Sequence, residues 1–245
     1  MHSGLKRAID ATGFGVRARA IKRAFEPAST TQDRRDHEHL GAILAAVLAP
    51  DANCVDVGAH GGDVLADMLR LAPHGRHVAF EPLPAMAAAL RDDFPGVDVH
   101  EAALGDEPGR AEFVHVITRP GWSSLRERPY PGDERTERIT VDVVRLDDAL
   151  PTDYAPNLIK IDVEGAELGV LNGAHATLSA HHPIVIFEHG LGSADHYGTR
   201  PEDVFDVFMN LGYRVLDLDG QGPYTRSGFA DCFAAHRRTN FLARL

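Results

Sequence analysis

Cysteine is scarce in this 245-residue chain, which contains only Cys54 and Cys232, neither of them in a CxxC pair. That pattern excludes a disulfide scaffold and a cysteine-rich zinc module. Long hydrophobic runs are also missing, since no stretch approaches the roughly 18 apolar residues that span a bilayer. The N-terminus lacks the apolar core of a secretory signal. We therefore expect a cytoplasmic protein with no transmembrane segment.

Positive charge is in deficit. The sequence has 25 Lys and Arg residues against 36 Asp and Glu residues, which gives a net charge of −11 at pH 7. Such an acidic balance repels a phosphate backbone, so no nucleic acid partner is expected. What the chain does have is an ordinary globular composition, 44% hydrophobic and 25% charged. A chain of this length and composition can bury a sizeable core.

The cations that are present gather at the N-terminus. The first 35 residues hold eight Lys and Arg residues against three acidic residues, with apolar residues between them. This pattern suits either a cationic amphipathic helix or a solvated arm, and Gly13 and Gly15 interrupt the helical pattern. We therefore predict a basic arm or helix over residues 1–36 and an α/β domain over residues 37–245.

Helical patterns and strand-length apolar runs alternate from His37 onward, which predicts a doubly wound sheet of parallel strands. Between Arg110 and Arg145 the apolar period changes to two, so Ala111–Ile117 and Arg138–Val144 are predicted as two strands of an insertion beside the sheet. The predicted strands of the sheet are Cys54–Val57, His77–Phe80, Val97–His100, Leu158–Ile161, Ile184–Phe187, Arg214–Leu218 and Thr239–Ala243. The predicted helices are His37–Ala49, Gly62–Leu71, Pro84–Phe94, Ala166–Leu178 and Pro201–Leu211.

A glycine-rich turn follows the first strand, within Val55–Asp63, and open α/β sheets bind their ligands at such strand ends. A dinucleotide site requires G-x-G-x-x-G, but the second glycine position is His60, whose side chain obstructs a pyrophosphate. The N-terminus of the next helix can instead hold a carboxylate, such as the methionyl end of S-adenosylmethionine. Asp56 can orient the loop or receive the ligand's ammonium. The alternative is a turn that only connects the strand to the helix.

Glu81 follows the second strand, 20 residues beyond Gly61. An acid at about this distance from a glycine loop commonly binds the hydroxyls of a nucleoside ribose through two charge-assisted hydrogen bonds. The Glu81-Pro82 pair also suits an ordinary helix start. The combination with the glycine loop favours the ribose-binding role.

Acidic residues also follow the fourth predicted strand. We expect Asp162 to meet the cofactor and Glu164 to act in the site, whereas Glu167 can serve the helix dipole alone. The fifth strand ends in Glu188 and His189. His189 is the favoured general base, because an unperturbed imidazole titrates near pH 6.5. A histidine packed at a strand end is the competing interpretation.

These segments together resemble the FkbM family of S-adenosylmethionine-dependent methyltransferases. The resemblance covers roughly Ala52 to Leu218 and includes the Asp56–Ala59 turn, Phe80–Pro82 and Ile159–Glu167. It implies a class I methyltransferase, Rossmann-like fold: a doubly wound, seven-stranded sheet with an antiparallel last strand and the β insertion between strands 3 and 4. It also implies O-methylation of a hydroxyl on a sugar, polyketide or related metabolite.

The resemblance implies the site residues as well. Asp162 would face the reacting centre, and Ser123 and Ser124 of the insertion would form a contact of lesser weight with cofactor or substrate. His60 and Gly61 depart from the Asn-Ile that often follows Gly-Ala in the family. The cofactor residues that it implies are Asp56, Gly58, Ala59, His60 and Gly62 for the methionyl moiety, Glu81 for the ribose, and Ala102 and Ala103 for the adenine.

The sequence therefore predicts an S-adenosylmethionine-dependent O-methyltransferase with His189, Asp162 and Glu164 as catalytic candidates. Its acceptor is expected to be a glycoside or polyketide-like small molecule, and a homo-oligomer is compatible with the sequence. Mg²⁺ can be accommodated by these carboxylates, but the spacing does not require a metal. The alternatives are a nicotinamide-dependent oxidoreductase and a non-catalytic cofactor-binding module.

Overall fold

Short, fully buried strands form the centre of the sheet in the computed structural model, which describes residues 31–245. Strands β1 (Cys54–Val57), β2 (His77–Phe80) and β7 (Leu158–Ile161) are buried at every residue. Continuous burial is typical of parallel strands that helices cover on both faces. These three strands match the sequence prediction residue for residue.

The main sheet has seven strands in the order β3-β2-β1-β7-β8-β10-β9. Its outer members are β3 (Asp98–His100), β8 (Ile184–Glu188), β9 (Arg214–Asp217) and β10 (Asn240–Arg244). Strand β10 runs antiparallel to both neighbours, and the other pairs are parallel. The predicted seven-stranded, doubly wound sheet with an antiparallel last strand is confirmed. The chain order reverses between β1 and β7, and a crevice outside the strand ends forms at such a point.

Eight α-helices occur among residues 31–245, together with two 3₁₀-helices, Pro120–Trp122 and Ala194–Tyr197. The predicted helix Ala166–Leu178 is two helices, because the chain breaks at Ala174, just after Gly173 packs against the carbonyl of Gly105. The last helix was not predicted from the sequence. The helices are α1 (Thr31–Val47), α2 (Asp63–Leu71), α3 (Pro84–Asp93), α4 (Leu146–Ala149), α5 (Glu167–Gly173), α6 (His175–His181), α7 (Pro201–Asn210) and α8 (Arg226–Ala234).

The insertion forms a second sheet of three strands, β4 (Ala103–Leu104), β5 (Gly109–Val116) and β6 (Thr136–Val144), in the order β4-β6-β5. The long pair β5–β6 is antiparallel from Gly109↔Val143 to Val116↔Thr136. Strand β4 follows β3 directly and pairs in parallel with β6. The insertion is therefore fastened to the loop that leaves the main sheet after β3.

Aromatic rings fill the core between β8, β10 and the helices α7 and α8. Phe187 lies 4.8 Å from Phe208 and 5.6 Å from Phe241, measured between ring centroids. Phe229 lies 4.8 Å from Phe241 and 5.7 Å from Phe205. We call these five residues the aromatic cluster. Their packing anchors the half of the sheet beyond β7.

The chain divides into two units, Met1–Glu38 and His39–Leu245. Of the first unit the structure describes residues 31–38, so most of the predicted basic arm over residues 1–36 lies outside the described residues. Within residues 31–245, no helix combines the length and the apolar character that a membrane crossing requires.

Candidate active site

A pocket opens at the carboxyl ends of β1, β2 and β7, with about 550 Å³ of empty space that includes part of its open mouth. We call it the main pocket. The strand ends contribute Gly58, His60, Glu81, Asp162 and Glu164 to its lining, and the insertion contributes Phe113, Pro120, Gly121, Ser123 and Leu125. The pocket is therefore enclosed between the main sheet and the inserted one.

Glu81 is held in this pocket by the backbone. Its two carboxylate oxygens accept hydrogen bonds from the N–H groups of His60 at 2.8 Å and Leu83 at 2.9 Å. Burial raises the pKa of Glu81, against these two hydrogen bonds. Each carboxylate oxygen accepts more than one hydrogen bond, so both oxygens keep acceptor capacity for a ligand. The predicted ribose-binding acid thus lies in the main pocket.

The turn after β1 brings the strand ends into close contact. Gly58 has a φ of 75°, and a Cβ there would lie 1.9 Å from the carbonyl oxygen of Asp162. Only glycine fits at this point, because the β1 and β7 ends approach each other too closely for a side chain. Gly62, which was predicted to contact the cofactor, is not part of the lining of the main pocket. A Cβ at Gly62 would meet Phe94 and Leu90 of the neighbouring helix region, so the glycine serves packing there.

A second pocket of about 540 Å³ adjoins the first. Both pockets are lined by Gly58, His60, Gly121 and Asp162, which form the boundary between them. We call the second one the side pocket. Ala59, Gly61, Asp63, Val64 and Lys160 complete its lining. Ala59, predicted at the methionyl moiety, thus lies on the side pocket.

Lys160 is a buried cation under both pockets. Its Nζ lies 3.3 Å from Asp162 Oδ2 and 3.6 Å from Asp56 Oδ1, and it donates a hydrogen bond to the Gly58 carbonyl at 3.3 Å. Burial alone would lower the pKa of Lys160, but the two carboxylates outweigh it and raise the pKa. Asp56 is fully buried behind this lysine, and burial raises its pKa. Sequence reasoning missed Lys160, although a cation inside a buried strand was a usable signal.

Asp162 sits where β1, β7 and β8 meet. Burial would raise its pKa, but Lys160 and a hydrogen bond from Glu188 outweigh burial and lower it. Burial and the charges of Asp162 and Glu164 raise the pKa of Glu188 well above its ordinary value. Glu188 therefore carries the proton of this carboxyl pair and donates it in a hydrogen bond to Asp162. Asp162 stays ionised and faces both pockets.

Glu164 lies in the main pocket and is paired with Arg128 of the insertion. Arg128 also donates a hydrogen bond to the carbonyl of Gly192 at 2.8 Å. Burial and the charge of Asp162 raise the pKa of Glu164 to about 8, against the attraction of Arg128. Arg128 was not predicted, because nothing in the local pattern of the insertion marks it.

His189, which was predicted as the general base, lines neither pocket. Its side chain is fully buried, with its ring 5.0 Å from Phe233 and 6.0 Å from Phe229. Its Nδ1 lies 3.6 Å from Oε2 of Glu167, whose other oxygen accepts a hydrogen bond from the N–H of Gly165. A ring enclosed in this way cannot take a proton from an acceptor in the main pocket.

Three of the remaining predicted residues, Ala102, Ala103 and Ser123, line the main pocket. Ala102 and Ala103 are buried there beside Leu83. Ser123 also lines the pocket, and its Oγ accepts a hydrogen bond from the N–H of Val116. Ser124 Oγ donates to the Arg126 carbonyl, which is a turn contact. In the part of the chain that the structure describes, no cluster of three or more His, Cys, Asp or Glu side chains is placed to hold a metal ion.

A doubly wound, seven-stranded sheet with an antiparallel last strand and a pocket at its switch point defines a class I methyltransferase fold. The fold of the FkbM methyltransferase from Methylobacillus flagellatus KT is similar, with a TM-score of 0.51 at 21% identity over 82% of this chain and 45% of that one. Residues 56–215 match the methyltransferase FkbM domain, and the chain belongs to this family. This membership favours methyl transfer over the nicotinamide-dependent alternative.

Curated relatives come from fungi and bacteria. Methyltransferase 1 of Beauveria bassiana is 31% identical over 145 residues, covering 50% of this chain and 58% of the relative. The 2-O-methyltransferase NoeI of Sinorhizobium fredii is 29% identical over 154 residues, covering 56% of this chain and 63% of the relative. The chain thus spans about three-fifths of the length of the curated relatives that it matches.

Proposed function

We propose that this protein transfers a methyl group from S-adenosylmethionine to a hydroxyl of a small molecule such as a sugar or a polyketide. The observation that carries the proposal is Glu81, a buried carboxylate fixed by two backbone N–H groups inside a pocket at the switch point of the sheet. Support for a hydroxyl acceptor comes from the relative in Sinorhizobium fredii, which is named a 2-O-methyltransferase.

The residues of the main pocket fit the cofactor. Glu81 would bind the ribose hydroxyls, and the wall of Leu83, Ala102 and Ala103 offers apolar contact to the adenine. Gly58 and Asp162, at the boundary with the side pocket, would lie beside the methionyl part, where the Asp162 carboxylate can receive an ammonium. When bound, the cofactor supplies a methyl carbon that its sulfonium already activates.

The acceptor then enters through the side pocket, which meets the main pocket at Gly58, His60, Gly121 and Asp162. The protein's largest contribution is to hold the hydroxyl oxygen about 3–3.5 Å from the methyl carbon, since such positioning alone supplies several kcal/mol. The acidic surroundings of Lys160 favour a neutral acceptor over an anionic one, because Asp56 and Asp162 already outnumber this cation.

The first test is calorimetric titration of S-adenosylmethionine into wild type, Glu81→Gln and the control Glu101→Gln, an exposed acid outside the pocket. Loss of the charge-assisted hydrogen bonds should cost Glu81→Gln about 1.5–3 kcal/mol of binding free energy. Thermal unfolding shows whether the variant keeps its fold. Equal affinity in a folded Glu81→Gln protein would remove Glu81 from the cofactor site.

The second test is methyl transfer from isotope-labelled S-adenosylmethionine to a panel of neutral glycosides and phenolic polyketides. Each compound is paired with its amino analogue, and products are identified by mass spectrometry. We expect label on hydroxyl oxygen. Label on nitrogen alone would contradict O-methylation, and tight cofactor binding without any labelled product would favour the non-catalytic module.

A further inference from the structure

His60 occupies an unusual position, because it lines the main pocket and the side pocket at once. Its side chain is exposed toward these spaces, and its ring lies against the insertion: a Cβ built on Gly121 would be 3.7 Å from His60 Nε2. The ring also interacts electrostatically with Asp162 and helps to lower the pKa of that carboxyl, after Lys160 and Glu188. His60 therefore lies at the boundary where cofactor and acceptor would meet.

The backbone of His60 is in the left-handed region, as it also is at His182 and His236, which line neither pocket. The φ of His60 is 46°, and a residue with a Cβ in this region pays roughly 1–2 kcal/mol. The hydrogen bond from its N–H to Glu81 Oε2, at 2.8 Å, helps to hold this conformation. Glu164 is the other pocket residue besides glycine with a positive φ.

The other ionisable side chains around the pockets are held in ion pairs or share a proton with a neighbour. The pKa of Lys160 is raised by its two carboxylate neighbours, so the amine keeps its proton. Glu188 carries the proton that it shares with Asp162, and the pKa of Asp162 is lowered, which makes it a weak base. Glu164 is tied to Arg128 by an ion pair, and burial and the charge of Asp162 raise its pKa to about 8.

Two acids remain beside these groups. Burial raises the pKa of Glu81, whose oxygens already accept two backbone hydrogen bonds and are assigned to the ribose. Asp63 lies in the first turn of α2, where its charge complements the helix dipole. His60 supplies the remaining ionisable side chain among the described residues that line the two pockets, and a neutral imidazole carries one nitrogen that can accept a proton.

We propose that His60 is a catalytic residue of this methyl transfer, with its imidazole as general base and Asp162 as the charge that stabilises the imidazolium. The inference rests on the proposed function. As the acceptor oxygen bonds to the methyl carbon, the sulfur–carbon bond breaks and its electron pair returns to sulfur, leaving a neutral thioether. The hydroxyl proton moves to the imidazole and is released to solvent afterwards.

Chemical rescue separates this role from a structural one. His60→Gly removes the ring, keeps the N–H that Glu81 binds and suits a positive φ. His182→Gly is the matched control, since His182 has the same φ of 46° at the exposed end of α6, away from both pockets. We expect His60→Gly to lower kcat by about 10²-fold or more, with S-adenosylmethionine affinity by calorimetry within about threefold of wild type.

Added imidazole should restore His60→Gly in a concentration-dependent way and leave wild type and His182→Gly unchanged. His60→Asn, which tolerates the left-handed backbone but offers no base, should be as slow as His60→Gly before rescue. Wild-type turnover in His60→Asn, or a slow His60→Gly that imidazole does not restore, would overturn the proposal. If the His60 variants lost affinity for S-adenosylmethionine but kept the wild-type kcat, His60 would be a contact for the methionyl moiety and not a general base. If wild type labels no acceptor in the panel, the proposed function itself fails, and this inference fails with it.

Discussion

The carboxyl ends of β1 and β8 each lead to a histidine, and the two are in opposite surroundings. His60 lies beside what we call the charged rim, the residues Asp56, Lys160, Asp162, Glu164 and Glu188 at the ends of β1, β7 and β8. His189 is enclosed next to the aromatic cluster, beside Phe229 and Phe233. In the rim each buried charge faces an opposite charge or shares a proton. Beside the aromatic cluster, neither ring nitrogen of His189 has a hydrogen-bond partner.

This difference shows that position along a strand and direction of a side chain are separate questions. Both histidines are at strand ends, where α/β folds bind ligands. Alternate residues of a strand point to opposite faces, and a bend of the chain after the strand redirects the next side chain. His60 is turned toward the pockets by its left-handed backbone, whereas His189 continues into the core.

The largest effect should follow loss of the cation of the charged rim. Lys160→Met leaves Asp56 and Asp162 without their shared partner, and breaking a buried pair in this way costs about 3–5 kcal/mol. Urea unfolding at neutral pH measures the loss.

The control is Arg70→Met, which removes a cation from an exposed pair with Asp67 on α2. Exposed pairs contribute little, so this variant should unfold close to wild type. If the two variants lost the same free energy of unfolding, the ion pairs of Lys160 would contribute no more to stability than an exposed pair does.

A pH-dependent effect should follow at Glu164. Its folded pKa of about 8 lies above its ordinary value of 4.5, so the fold favours the protonated form. The stability that this contributes is complete below about pH 4.5 and is lost as the pH rises through about 8. Glu164→Gln imitates the protonated form and lacks this dependence.

Relative to wild type, the free energy of unfolding of Glu164→Gln should therefore rise by about 2–3 kcal/mol between about pH 5.5 and about 8.5. Urea titrations across this range, with Glu101→Gln as the exposed control, provide the measurement. A constant difference between wild type and Glu164→Gln would show that Arg128 keeps Glu164 ionised throughout.

The smallest effect on methyl transfer should be found at His189. His189→Leu puts an apolar side chain beside Phe229 and Phe233 but removes the ring that lies 3.6 Å from the buried carboxylate of Glu167, so a loss of about 1–3 kcal/mol of stability is expected. The rate of methyl transfer should equal that of wild type, because the ring faces neither pocket. If a folded His189→Leu protein had no methyl-transfer activity, His189 would be needed for the reaction. The difference in role between His189 and His60 would then be wrong.

The parts of the fold that depend on local pattern were predictable from the sequence. Strands β1, β2 and β7 are apolar runs bounded by turns. The positions of Glu81 and Asp162 could be predicted because each directly follows the end of one of these strands. Helix α8 escaped prediction, because Gly228 interrupts a weakly amphipathic segment. The two-residue strand β4 was not predictable either, because two residues are too few to show an alternation of apolar and polar side chains.

The candidate site was predictable to the extent that it lies on strand ends. Glu81, Gly58 and Asp162 are in the main pocket as expected. Arg128 could not be found, since its partner Glu164 is 36 residues away and only the fold brings them together. The burial of His189 depends on α8, which packs Phe229 and Phe233 over the end of β8.

The pairing of β5 with β6 has a consequence for how such a protein can change over evolution or in the laboratory. Because Gly109 and Val143 are paired, the chain leaves and re-enters the insertion at neighbouring points. The segment beyond Val116 and Thr136 can then lengthen at a cost of only about 0.6 kcal/mol for each doubling of its length. The segment that covers the pockets can therefore be replaced without changing the strands that carry it. Replacing it changes the cover of the pockets, while Glu81 and the strands of the main sheet stay as they are.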